Sequence, residues 1–293
     1  MKRRLISAVL LIIIISQLEY GALSGSDYPG VLGLDKVAMA ATEVRVKSEK
    51  ELVNTIYTAL INRNKTITIK YSLPDYELDF DALFDKVLHI DHKKTAKDGD
   101  YLDFSLNKWS ARAQMIGSNT TLKLDFTYKT TLKEEQAVDK KVKSVLQAMV
   151  LEDASDYEKV KEIHDYIINR VSYDRQLTKT SAYDALIDKS AVCEGYSMLA
   201  YLMFTEAGLE TRIISGTGDG VPHAWNIVKV NGKWYNIDLT WDDPISSDGK
   251  PMLVYDYFLK STKDFIDHKR DAEYKTDTFV KTYPIAKTSY KVE

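Results

Sequence analysis

Val221-Pro222-His223-Ala224-Trp225-Asn226-Ile227-Val228-Lys229-Val230-Asn231-Gly232-Lys233-Trp234-Tyr235-Asn236-Ile237-Asp238-Leu239-Thr240 reads as two strands and the turn between them. Both flanks are rich in β-branched and aromatic residues, and Asn231-Gly232 is the pair a two-residue type I′ hairpin asks for, because both central residues need positive φ. The turn fixes the register. With Val230 opposite Lys233, Trp225 lies opposite Asp238 and His223 opposite Thr240, and these four side chains share one face. His223 and Asp238 become diagonal cross-strand neighbours, within roughly 7–8 Å at the backbone and closer between side chains.

Upstream of the hairpin, Ser190-Ala191-Val192-Cys193-Glu194-Gly195 opens an apolar stretch that reads as a buried helix, Tyr196 to Ala207, ended by Gly208. Cys193 is the only cysteine of the 293 residues, so it is either a reactive group or an inert buried one. A thiol at a helix start sits where the first-turn N–H groups and the macrodipole favour its anion. A thiol nucleophile also needs a base within hydrogen-bond reach and a third group that orients the base. Cys193, His223 and Asp238 make such a set if the helix packs on the hairpin face.

These stretches carry a resemblance. Ala191-Val192-Cys193-Glu194-Gly195-Tyr196, His223-Ala224-Trp225-Asn226 and Trp234 to Pro244, in this order and spacing, resemble the core of bacterial transglutaminase-like proteins, over about residues 150 to 260. The resemblance implies a papain-like α+β fold, a helix-borne cysteine packed on an antiparallel sheet. It implies Cys193 as nucleophile, His223 as general base and later acid, and Asp238 as the orienting carboxylate. Members of the family variously form isopeptide bonds or hydrolyse peptides and amides. Animal transglutaminases follow the nucleophile with tryptophan and bind calcium, whereas Glu194 follows Cys193 here and no calcium-loop pattern occurs, so no metal or other cofactor is expected. Beside the Cys193 N–H, Tyr183 and Tyr196 are candidate oxyanion donors or packing tyrosines. Trp225, with Trp234 and Trp241, either walls a substrate cleft together with Tyr196 or packs the hairpin.

Around this centre the remaining segments follow local signals. Thr131-x-x-Glu134 and Ser155-x-x-Glu158 are capping boxes opening helices to about Val150 and Val171. Valines 138, 142 and 145 stripe the first; Val160, Ile163 and Ile167 stripe the second, with His164 beside them as a packed structural histidine. Thr211 to Ser215 reads as a strand and Gly216 to Gly220 as a flexible loop without the lysine of a phosphate cradle. Asp242-Asp243-Pro244 ends the second hairpin strand in a turn, and Thr262 to Arg270 reads as a short helix in which His268 has no evident partner.

Residues 42–130 read as a small α+β module: a strand at 42–46, a helix capped by Ser48-x-x-Glu51, a strand at 66–71, a helix at 80–88 and three short strands between Tyr101 and Lys129. His89 and His92 are taken as surface histidines rather than metal ligands. By the resemblance, residues 131–293 are expected to form a transglutaminase-like catalytic domain. Residues 1–41 read as a signal peptide, with Lys2-Arg3-Arg4, an apolar run from Leu5 to Ile15 and small-residue cleavage sites, or else as an uncleaved anchor, the one expected membrane contact. Forty basic residues against 43 acidic give a net charge of -3, which provides no basic excess for nucleic acid. The sequence thus points to a secreted or cell-surface, cysteine-dependent acyl-transfer enzyme acting on protein or peptide amides through a thioester. Hydrolysis is favoured over crosslinking because nothing visible builds a dry site. The alternative is a non-catalytic surface or wall-binding module with the same fold.

Overall fold

The computed structural model describes residues 43–73, 78–90, 95–244 and 252–292, so the expected signal segment and His92 lie outside the described residues. The chain divides into two compact units. In the smaller, whose described residues lie in 43–87 and 108–127, β1 (Glu43–Val46) leads to α1 (Glu49–Ile61), where Ser48 accepts the Glu51 N–H as the capping spacing predicts. Then come β2 (Thr66–Tyr71) and α2 (Phe80–Leu88). Next along the chain are α3 (Gly99–Ser105), β3 (Leu106–Ile116) and β4 (Asn119–Tyr128). The sheet order is β1-β2-β4-β3, with β1 parallel and β4 antiparallel to β2. Alternation puts Ile67, Ile69, Leu122 and Leu124 inside, with Leu52 and Ile56 of α1 also buried.

Two strands form between residues 101 and 129 instead of three, because Tyr101 to Ser105 is helical in α3. Tertiary contacts decide this. Asp100 accepts two hydrogen bonds from the Arg212 guanidinium and one from the Ile213 N–H, while Tyr101 and Phe104 join the core of the larger unit. For the same reason residues 88–107 cluster with the larger unit, and the single boundary expected at 130/131 gives way to an interleaved one.

In the larger unit α4 (Leu132–Met149) and α5 (Asp156–Ile168) both start in complete capping boxes. The short strand β5 (Ser172–Tyr173) pairs in parallel with β6 (Ser190–Ala191), and α6 (Ala182–Leu186) lies between them behind a third box, Ser181 with Asp184. The central helix α7 (Cys193–Glu206) begins at the cysteine itself and packs on β7 (Thr211–Gly218) and β8 (Val221–Val230), with β9 (Lys233–Ile237) following. Val230 pairs with Lys233, and Asn231 and Gly232 have φ of 49° and 77°, as the hairpin reading requires.

The stretch after Ser215 is not a loop. β7 continues through Gly218, and the expected helix at 262–270 is a single 3-10 turn, Thr262–Asp264, followed by an edge strand, β10 (His268–Arg270). The sheet order is β10-β7-β8-β9, all neighbours antiparallel. Glycine is required at 216, since a Cβ there would lie 2.1 Å from the Lys269 carbonyl oxygen. A short helix, α8 (Asp277–Thr282), completes the unit. Among the described residues no helix is long and apolar enough to cross a membrane.

Candidate active site

Cys193 occupies the first turn of α7, half-buried, with Val192 as the extended residue before the helix. The first N–H groups of a helix have no intrahelical acceptor, so those of the Cys193 turn point where an anion would sit. Close packing positions this turn. A Cβ at Gly195 would lie 2.5 Å from the Ala191 Cβ and 2.8 Å from the Ser181 carbonyl oxygen, so only glycine lets the helix start so near β6.

His223, on β8, donates from Nε2 to Asp238 Oδ2 at 2.6 Å, the diagonal pair that the hairpin register predicts. The Cys193 side chain also acts on this ring, through a hydrogen bond and its charge. Burial, the largest influence on His223, favours its neutral form, but the Asp238 charge and hydrogen bond, joined by the bond to and charge of Cys193, raise its pKa to about 10. Burial would likewise raise Asp238, yet the His223 charge and hydrogen bonds from His223 and His268 hold it well below the usual carboxylate range. Asp238 Oδ1 accepts the Thr240 N–H at 2.9 Å and the Trp241 N–H at 3.3 Å, so every side of this buried carboxylate meets a donor. Gly218 makes room for the group: a Cβ there would be 2.7 Å from Trp241 and 3.2 Å from the His223 ring.

Of the two readings of Trp225 and Tyr196, cleft wall or packing residue, their burial favours packing. Trp225 and Tyr196 are each 1% exposed. Trp225 packs with Ile214, Ile227 and Phe265 in an apolar cluster, and Tyr196 donates to Asp243 Oδ2 at 2.6 Å, which also removes it as an oxyanion donor. Burial lifts Asp243 to about 6, with the Tyr196 bond opposing. The Asp242-Asp243-Pro244 turn is pinned from behind. Asp242 accepts the Tyr257 N–H at 2.7 Å and meets His164 Nε2 at 3.1 Å, while His164 Nδ1 meets Asp165 at 3.0 Å. His164 is fully buried and structural, as its stripe position predicts.

Sequence reasoning missed two neighbours of the site. Tyr173 pairs across to Ala191, and its phenol is raised by burial and then by the charge of Cys193, which it stands beside. His268 donates from Nε2 to the same Asp238 Oδ2 at 2.9 Å. The available signal was Gly216-x-Gly218, since two glycines in one strand mark close approach of another backbone. The ligand atoms of His223, Asp238 and His268 lie within 4.8 Å of one another. Two N–H groups already converge on one carboxylate oxygen, so the set is built to hold protons, and a cation would have to displace them.

The sequence profile of the transglutaminase-like superfamily matches residues 143–239. These residues form a transglutaminase-like domain. The matched span of this domain contains Cys193, His223 and Asp238 and ends before His268. Human kyphoscoliosis peptidase is 30% identical over 176 residues, 51% of this chain and 25% of that protein; the mouse protein is 31% identical over 159 residues, 44% and 24% respectively. The chain thus spans about a quarter of the length of these relatives. A transglutaminase crystal structure is 18% identical, covering 68% of this chain and 59% of that one, with a TM-score of 0.35.

Proposed function

We propose that the chain is an exported cysteine-dependent acyl-transfer enzyme that opens amide bonds of proteins or peptides through a thioester. The observation that carries this reading is the His223 ring, hydrogen-bonded through Nε2 to Asp238 and interacting with the Cys193 side chain at the start of α7. With a pKa of about 10, His223 is an imidazolium at neutral pH beside the Cys193 sulfur, which attacks as the thiolate form. The thiolate adds to the carbonyl carbon, and the oxygen takes the electron pair beside the Cys193 N–H. Collapse expels the amine, which leaves with the proton from His223. Neutral His223 then takes a proton from water as the water attacks the thioester, and Cys193 departs as thiolate.

Water is the favoured acceptor because the thiol is half-exposed, so bulk solvent reaches the thioester. Kyphoscoliosis peptidase bears a hydrolase's name, which agrees. Export rests on the basic and apolar pattern of residues 1–41. The test is incubation of glutamine-containing peptides with the protein in the presence of a labelled primary amine. Hydrolysis or deamidation should exceed amine incorporation, and Cys193→Ser should abolish both; turnover persisting in that variant would refute the thioester route.

A further inference from the structure

His268 lies on a short edge strand beyond the matched family region, in a stretch whose sequence suggested a helix. β10 sets it opposite Gly218, so its ring comes up beside His223, with centroids 5.3 Å apart. Its Nε2 lies 2.9 Å from Asp238 Oδ2, the oxygen that His223 also uses. Phe265 stacks on the ring at 3.8 Å, and Trp241, Trp225 and Tyr257 close around it at 4.5, 5.0 and 5.5 Å. Nδ1 is buried there without a hydrogen-bond partner among the described residues. A proton on Nδ1 would be stranded among aromatic rings, whereas a proton on Nε2 meets a carboxylate; the packing therefore selects the Nε2–H tautomer.

We infer that His268 is a positioning residue for the thiol chemistry: its aromatic box locks an N–H donor onto Asp238 Oδ2, keeping that carboxylate ionised and aimed at His223. This rests on the proposed role of Cys193 and adds a fourth member to the set. The backbone N–H groups of Thr240 and Trp241 hold only Oδ1. Oδ2, the working oxygen, would otherwise be fixed by His223 alone, the group that must change protonation during turnover. The other charged or titratable groups near Asp238 are Asp242 and the Tyr257 phenol, both of which feel its charge. Neither donates to it.

The experiment compares His268→Phe, which keeps an aromatic ring in the box and removes the donor, with His268→Gln, which can place an N–H near the position of Nε2. The rate of Cys193 alkylation by iodoacetamide is followed against pH, and the imidazole nitrogens are observed by ¹⁵N NMR. Without the second donor, Asp238 is fixed by His223 alone and supports the Cys193–His223 pair less well, so the acid limb of the profile in His268→Phe, which reports that pair, should move up by about one pH unit, a tenfold loss on that limb. His268→Gln should restore most of it, and the wild-type spectrum should show His268 protonated at Nε2. A residue serving packing alone would lower thermal stability in both variants and leave the limb in place, which would overturn the inference. Coincident wild-type and His223→Ala profiles would refute the thiol reading instead, and the inference would then stand or fall on the tautomer; an unprotonated Nε2 at His268 overturns it in either case.

Discussion

Asp238 is ionised in a place where burial alone would hold it protonated, and the compensation comes from the two imidazoles. Linkage then fixes the pH behaviour. His223, raised to about 10, contributes stability that is complete below its unfolded value of about 6.5 and is lost as pH climbs through 10. Asp238, lowered, contributes above about 3.9 and loses that contribution as pH falls. The cost of Asp238→Asn should therefore be greatest between about pH 4 and 6.5, on the order of 3 kcal/mol, and shrink toward pH 10. Urea midpoints of both proteins across pH measure this, and parallel curves would rule out the coupling. Asp243 has the opposite sign: a carboxyl raised to about 6 stabilises the fold below about 3.9 and loses that effect as pH rises through 6. Asp243→Asn should thus become the more stable form relative to wild type above pH 6, by on the order of 2 kcal/mol, with a flatter urea-midpoint profile from pH 4 to 7.5.

The elements that were legible in the sequence are those whose cause is local. Asn231-Gly232 sets its own φ values and with them the meeting of His223 and Asp238, and the capping boxes at Thr131 and Ser155 specify helix starts without reference to anything distant. The elements misread, α3 and β10, owe their form to partners far along the chain: Arg212 for the one, the glycines of β7 for the other. His268 and Tyr173 were invisible for that reason, and the sequence left Trp225 open between cleft wall and packing because its burial depends on Phe265, which the β10 region brings over it. Gly216→Ala tests this dependence. Its Cβ would collide with the Lys269 carbonyl, so β10 should separate from β7. Hydrogen exchange of the β10 amides should rise and the fold lose about 1–3 kcal/mol, the usual cost of forced overpacking. Unchanged exchange would show that β10 is held by other means. His164→Phe should cost more, about 3–5 kcal/mol in urea unfolding, because it leaves the buried Asp242 carboxylate without its cation.

For the whole molecule, the interleaved boundary means that the larger unit is not contained in residues 131–293. Asp100, Tyr101 and Phe104 supply an ion-pair partner and core side chains to it. A fragment of residues 131–292 should therefore melt at least 10 °C below the full chain or without a cooperative transition, since losing the buried Asp100–Arg212 partner alone costs several kcal/mol. An equal melting midpoint would mean the earlier segment is dispensable. The α+β class and the likeness of residues 143–239 to the transglutaminase-like superfamily were legible because the motifs lie in the hairpin and the start of α7, where spacing is short; the boundary was not, because no linker composition marks it. The central claim, that Cys193 is a nucleophile activated by His223, is tested most directly by the rate of its alkylation with iodoacetamide at neutral pH in wild type and His223→Ala. The account predicts a rate in the variant lower by about tenfold or more. Equal rates in the two proteins would contradict it.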